Sequence, residues 1–219
     1  RKPDDEHTLL RATVIECLDA LNHFGYGGRR NFHRDFRALI AGGGTGDSAI
    51  FLAEQLRGTD AEIIYLDMSA ASMEIAQARA KARGLTGIRW VQASLLEARS
   101  LDLGMFDYIN CSGVLHHLEN PQAGLDALTR VLTPGGVMGI MLYGRHGRTA
   151  IYQMQEVMRL IAGGESPGAK LELCKALLGN MPATNWLAHC KDWFNDLRNG
   201  DAALYDLLLH SQDRAYNVP

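Results

Sequence analysis

The residues best placed to do chemistry lie in a glycine cluster at the end of an apolar run. Leu39-Ile40-Ala41 leads into Gly42-Gly43-Gly44-Thr45-Gly46, and a helical pattern starts at Asp47. Glycines at a strand-to-helix turn let the backbone bend sharply and approach a ligand with no Cβ in the way. They also bring the first helical N–H groups near that ligand. Asp67 closes the next apolar run, 21 positions after Gly46, where a carboxylate can accept hydrogen bonds from both ribose hydroxyls of a nucleoside. No lysine followed by serine or threonine completes the loop, which disfavours a phosphate-cleaving site. A carboxylate at Asp47 would repel a pyrophosphate and suits an ammonium group, so a nucleoside bearing a cationic amino acid fits better than a dinucleotide. Capping of the helix by Asp47 or Ser48 is the structural alternative for that side chain.

The elements that must position these residues follow from the pattern around them. From Phe36 to Leu142 short apolar runs alternate with helical periodicity, as in a parallel sheet covered by crossover helices. Five strands are expected, at Phe36–Ala41, Glu62–Asp67, Ile88–Gln92, Asp107–Cys111 and Val137–Leu142. Helices are expected at Asp47–Leu56 and Ser69–Arg83, and at Pro121–Leu132 behind an Asn120 cap, with Thr133-Pro134-Gly135-Gly136 turning the chain into the fifth strand. Residues 1–35 read as a helical arm or lid, with a helix over Thr8–Asn22 and a turn at Gly25–Arg30. Residues 143–219 read as a loop followed by helices at Thr149–Ile161, Pro167–Leu178, Trp186–Leu197 and Ala202–Leu209.

Four stretches in this order resemble the class I S-adenosylmethionine-dependent methyltransferases. They are Leu39–Asp47, Tyr65–Ser69, Phe106–Leu118 and Leu132–Gly136, and the resemblance covers about residues 36–142. It implies a Rossmann-like α/β fold, here with a helical C-terminal extension and no convincing terminal β-hairpin, so that the chain is expected to be a fragment or to have its sheet edge covered otherwise. It implies S-adenosyl-L-methionine as cofactor and S-adenosyl-L-homocysteine as product. Gly42, Gly44 and Gly46, with Gly43 and Thr45 between them, would bracket the amino-acid and ribose portions of the cofactor; Asp67 would hold the ribose and Met68 would lie against the adenine. Cys111-Ser112-Gly113 would pass the methionine portion. Family members often place an acidic or amide side chain after the third strand, where this chain has Ala93-Ser94-Leu95, so Ser94 or a backbone group must serve the adenine edge.

A sulfonium methyl is already activated, so alignment of a nucleophile does most of the work and a general base serves only an acceptor that must lose a proton. His117, after the fourth strand with His116, is one candidate base. Tyr143 and His146 in the loop after the fifth strand are candidates near the acceptor. Arg145 or Arg148 in that loop is expected to recognise a carboxylate or phosphate, and Tyr26 to contribute from the N-terminal arm. No metal-ligand spacing is present. The acceptor is expected to be a small molecule or a protein side chain. A non-catalytic partner-binding role through Trp186, Trp193 and Leu204–Leu209, homo-oligomerisation through the helical tail, and a dinucleotide enzyme are the alternatives.

Composition narrows the partners. The 219 residues carry 22 Lys and Arg against 25 Asp and Glu, a formal net charge of -3, which disfavours nucleic acid as the substrate. Four scattered cysteines suggest neither a disulfide framework nor a zinc site and point to a reducing cytoplasm. No apolar run approaches the roughly 20 residues of a membrane span, and the first residues lack the apolar stretch of a signal peptide.

Overall fold

A computed structural model describes residues 14–190, 197 and 200–217. The chain divides into two compact units between Leu142 and Tyr143. The first unit opens with a 3-10 turn at Val14–Glu16 and helix α1 at Leu18–Tyr26. Of the helix expected over Thr8–Asn22, residues 8–13 lie outside the described ones; α1 runs further than expected, through Gly25 to Tyr26, before Gly27, which takes a left-handed φ of 60°.

Strands β1 (Arg37–Ala41), β2 (Glu62–Asp67), β3 (Ile88–Gln92), β4 (Phe106–Ser112) and β5 (Leu132–Met141) form one sheet in the order β3-β2-β1-β4-β5, with every neighbouring pair parallel. None of the described residues adds a sixth strand to it. Helices α2 (Asp47–Gln55), α3 (Ala70–Ala82) and α4 (Pro121–Thr129) make the crossovers. Because successive side chains of a strand point to opposite faces, Ala38 and Ile40 pack with Ile50, Leu52 and Ala76, while Leu39 and Ala41 pack with Ile109, Leu115 and Leu128. Both faces are therefore dry, as expected of an all-parallel sheet.

The strand expected to begin at Val137 begins at Leu132, opposite Phe106, and the register then jumps so that Val137 faces Tyr108. Thr133-Pro134-Gly135-Gly136 is thus a bulge inside β5 rather than a turn before it. Gly135 takes φ 81°, and Pro134 is exposed where no neighbour requires its missing N–H.

Helix α4 starts as expected, with the Asn120 side chain accepting a hydrogen bond from the Ala123 N–H at 3.1 Å and Pro121 in the first turn. Asn120→Ala is expected to cost about 1 kcal/mol of stability. A urea titration checks this, and an unchanged midpoint would contradict the capping role.

The second unit contains a two-residue parallel pair that the sequence pattern did not announce, β6 (Tyr143–Gly144) with β7 (Ala215–Tyr216). It also contains helices α5 (Thr149–Ala162), α6 (Pro167–Gly179), α7 (Trp186–Cys190) and α8 (Asp201–Leu208). The remainder of the helix expected over Trp186–Leu197 lies largely outside the described residues. Ile151, Met154, Met158, Cys174, Leu187, Leu204, Leu207 and Leu208 form the unit's own core. The apolar stretch Leu204–Leu209, considered above as a surface for a partner, thus contributes Leu204, Leu207, Leu208 and Leu209 to internal packing. Trp186 is half exposed, and Trp193 lies outside the described residues.

Candidate functional site

The glycine loop leaves the C-terminal end of β1, whose neighbours are β2 on one side and β4 on the other. The chain's crossovers change direction there, which is where open parallel sheets bind ligands. The Gly42 and Gly43 N–H groups both donate to the Leu66 carbonyl, at 2.8 and 3.2 Å, so the loop begins by folding over the end of β2. Gly42, Gly44 and Gly46 take φ of 76°, 51° and 93°, in the left-handed region that L side chains resist. Among the described residues, a Cβ on Gly44 would meet nothing within 4 Å. Gly43 is required for a different reason: a Cβ there would lie 2.2 Å from the Tyr65 ring.

Asp67 ends β2 beside this loop. One carboxylate oxygen accepts from the Gly44 N–H and the other from the Ser69 N–H, both at 2.8 Å. The Tyr65 hydroxyl donates to the Gly44 carbonyl, so β2 grips the apex of the loop from two positions. Met68, next in the chain, is 75% exposed, an apolar side chain left uncovered beside the carboxylate.

Asp47 is the first residue of α2, whose cap position is held by Gly46. The capping expectation for Asp47 and Ser48 is therefore corrected: Asp47 pairs with Arg79 at 2.6 Å, and the Ser48 hydroxyl donates to Glu16. Ser94 is likewise occupied. Its oxygen accepts from the Leu96 N–H at 3.3 Å while its own N–H donates to Glu97 at 3.2 Å, a reciprocal cap on the 3-10 turn Leu95–Glu97. The Ser-x-x-Glu spacing of Ser94 and Glu97 signals that cap. Ala93 donates its N–H to the Asp67 carbonyl at 3.1 Å, and Leu95 is buried. The turn after β3 is thereby held against the end of β2.

At the end of β4, Cys111 is buried, and the Ser112 hydroxyl is shielded from solvent with no hydrogen-bond partner among the described residues. Gly113 follows with φ 74°. Burial pushes the Cys111 thiol from 9.0 up to about 12, against the opposing effect of a hydrogen bond with the Leu115 backbone. An unfolded cysteine releases its proton near pH 9 while the folded one keeps it, so the unfolded state binds fewer protons in this window. Stability therefore falls as pH rises from about 9 toward 12. The urea midpoint is expected to be lower at pH 10 than at pH 8, and Cys111 is expected to resist iodoacetamide at pH 8 until the chain unfolds. Rapid alkylation of Cys111 in the folded protein at pH 8 would contradict its burial.

His116 and His117 occupy a 3-10 turn after β4, with their Nε2 atoms 3.0 Å apart and ring centroids 4.2 Å apart. His116 is fully buried and His117 is half-buried.

Tyr26, expected at the site, lies elsewhere in the first unit. Tyr26 donates its hydroxyl to the Asp107 carbonyl at 2.6 Å, and Arg30 pairs with the Asp107 carboxylate at 3.2 Å. Asp107 is the second residue of β4, so both side chains sit at the end of the parallel sheet opposite the glycine loop, and the expected substrate contact of Tyr26 is corrected. Burial of that phenol pushes its pKa to about 12. Tyr143, Arg145, His146 and Arg148 belong to the second unit. Arg148 is buried against the Tyr143 ring, its guanidinium carbon 3.5 Å from the centroid, and pairs with the buried Asp213 at 2.9 Å. Asp213 also accepts from Gln155 at 3.2 Å. Arg148 thus holds the segment before β7 and is not presented to an anionic substrate. Tyr143 is its stacking partner, while Arg145 and His146 are exposed. Sequence reasoning missed Asp213 and Arg79, whose partners lie 65 and 32 positions away.

The sheet order, the loop glycines, the carboxylate at the end of β2 and the orphaned Ser112 hydroxyl at the end of β4 together define a nucleoside-binding α/β domain. A methyltransferase domain family matches residues 39–138. That match supports the resemblance drawn from the four motifs. The chain is 38% identical over 186 residues to an uncharacterized protein of Synechococcus sp., covering 83% of this chain and 44% of that one. It is 35% identical over 112 residues to the tRNA 5-carboxymethoxyuridine methyltransferase of Escherichia coli, covering 51% of this chain and 41% of the enzyme. The solved structure of PKMT2 from Rickettsia typhi superposes with a TM-score of 0.67 at 17% identity, covering 94% of this chain and 41% of that one. The chain thus spans less than half the length of these relatives.

Proposed function

We propose that this chain binds S-adenosyl-L-methionine and transfers its methyl group to a small-molecule or protein acceptor. The single observation that carries this reading is the hydrogen bond from the Gly44 N–H to the Asp67 carboxylate, which joins the open loop of β1 to the acidic end of β2. The residues present fit the cofactor in four respects. Gly44 leaves its side open, Asp67 offers a fixed carboxylate for two ribose hydroxyls, exposed Met68 offers an apolar surface for a base, and the Ser112 hydroxyl has no partner among the described residues, so a polar group of the cofactor would supply one. When bound, the cofactor supplies a methyl group already activated on a sulfonium.

The chain's own task is then to orient and to exclude water. The loop Gly42–Gly46 and Asp67 hold the nucleoside and the amino-acid end, fixing where the methyl points. Dry packing of Leu39, Ile109 and Cys111 beneath the site keeps that geometry rigid. His117 is proposed as the group that takes a proton where the acceptor must lose one. The free thiols of Cys17, Cys111 and Cys174 support a reducing compartment, here proposed as the cytoplasm. No described helix is long and apolar enough to cross a membrane.

Titration calorimetry tests the reading. Saturable one-site binding of S-adenosylmethionine and S-adenosylhomocysteine by the intact chain is expected, whereas no heat from either would overturn it. Methyl release over metabolite and protein extracts then identifies the acceptor class.

A further inference from the structure

The largest fully buried side chain is a cation that none of the steps above uses. Arg79, on α3, is 1% exposed. Its Nη1 donates to the Thr45 carbonyl, and its Nη2 pairs with the Asp47 carboxylate at 2.6 Å. Burying a guanidinium is unfavourable unless acceptors meet its donors, and here the acceptors come from the glycine loop and the first residue of α2. The contact is tightly built. Ala76, one turn earlier on α3, lies where a Cβ on Gly46 would come within 2.7 Å, so α3 presses on the loop along the same face that carries Arg79.

The loop therefore has two anchors of different origin. Asp67 and Tyr65 hold Gly44 from β2, and Arg79 holds Thr45 and Asp47 from α3. The first anchor serves the side where the ribose binds. The second serves the start of α2, where the amino-acid end is expected. Resting on the proposed methyltransferase function, we propose that Arg79 is a positioning residue that shapes the amino-acid half of the cofactor site independently of the nucleoside half. A fork with two simultaneous acceptors does this, because it fixes a carbonyl and a carboxylate relative to each other. A lysine, with one compact ammonium on a flexible stem, fixes either one less well.

Two probes separate the halves: S-adenosylhomocysteine, and 5′-methylthioadenosine, which keeps the nucleoside and lacks the amino acid. In calorimetry on the full chain, Arg79→Met is expected to weaken S-adenosylhomocysteine at least tenfold and to change 5′-methylthioadenosine less than twofold. Arg79→Lys is expected to recover part of the loss for S-adenosylhomocysteine. A purely structural role would lower the melting temperature and weaken both probes alike, and that result overturns the proposal. So does unchanged S-adenosylhomocysteine affinity in either variant. Should Arg79→Met not fold, Arg79→Lys carries the same comparison, with a smaller selective loss expected and an equal loss for both probes overturning it. Failure of the parent chain to bind either probe overturns the methyltransferase reading, and this proposal with it. A defect confined to the variants concerns Arg79 alone.

Discussion

Asp67→Ala is expected to weaken S-adenosylhomocysteine binding at least a hundredfold while leaving the chain folded. A carboxylate that accepts two hydroxyl hydrogen bonds contributes about 1.5–3 kcal/mol through each, and 1.4 kcal/mol is a factor of ten, so the pair alone supplies the hundredfold. The same carboxylate also ties the Gly44 and Ser69 N–H groups, so its removal frees the loop apex as well as the ribose. Asp67 is only partly buried and ends its strand, so the sheet core of Ile63, Ile64, Tyr65 and Leu66 is untouched. Asp67→Asn separates the two effects. The amide keeps an acceptor and the side chain's shape but loses the charge, so an intermediate loss of about tenfold is expected. Calorimetry with S-adenosylhomocysteine, paired with a urea titration of each variant, measures both. Wild-type affinity in Asp67→Ala would remove the carboxylate from the site and the nucleoside assignment with it.

Why Asp67 was legible from sequence and Arg79 was not is a matter of range. The glycine loop and Asp67 each follow an apolar run that can only be a buried strand. Their functional geometry depends on the ends of two adjacent strands, and the register β1 to β2 is simple, with Ala41 opposite Leu66. Strand alternation, helix caps at Ser69 and Asn120, and the expected order of elements are equally local and match the structure. The side chains that went elsewhere are those whose partners are distant. Tyr26 and Arg148 carry polar groups that suit a substrate equally well until Asp107 and Asp213 are seen to occupy them, 81 and 65 positions away.

Periodicity hides a third kind of information. Leu204, Leu207 and Leu208 give the same apolar stripe whether it faces a partner or the unit's own core, and only the packing of α5 and α8 around Met154 and Met158 decides between them. At β5 the obstacle was chemical. Thr133-Pro134-Gly135-Gly136 has the composition of a turn, and a bulge at an exposed position of a strand can use the same residues, because it too accommodates a left-handed glycine and tolerates a proline with no ladder partner. Ser94 shows the reverse situation, since its capping partner Glu97 is three residues away and fully local, yet the position after β3 invited a functional role for the hydroxyl.

Gly42→Ala is expected to destabilise the domain by about 2–5 kcal/mol, through two penalties that can be measured apart. The first is conformational: φ of 76° is left-handed, and an alanine there costs about 1–2 kcal/mol. The second is steric, since the new methyl would lie 2.4 Å from Cγ2 of Val114 and 2.8 Å from its Cγ1, which overpacking data place at about 1–3 kcal/mol. Val114 directly precedes the turn that carries His116 and His117, so the loop after β1 and the turn after β4 are packed edge to edge across the switch point of the sheet. A methyl at position 42 must displace one of them. Val114→Ala removes the obstructing branches, so in the double variant the steric part is relieved and the conformational part remains. Urea titrations of the two single variants and the double are therefore expected to be non-additive by at least about 1 kcal/mol in the favourable direction. Strict additivity would mean that the two loops do not touch through these side chains. The glycine in the first motif and the valine in the third are in that sense one structural decision: the close approach of Gly42 to Val114 is what brings the β4 turn within reach of the nucleoside loop.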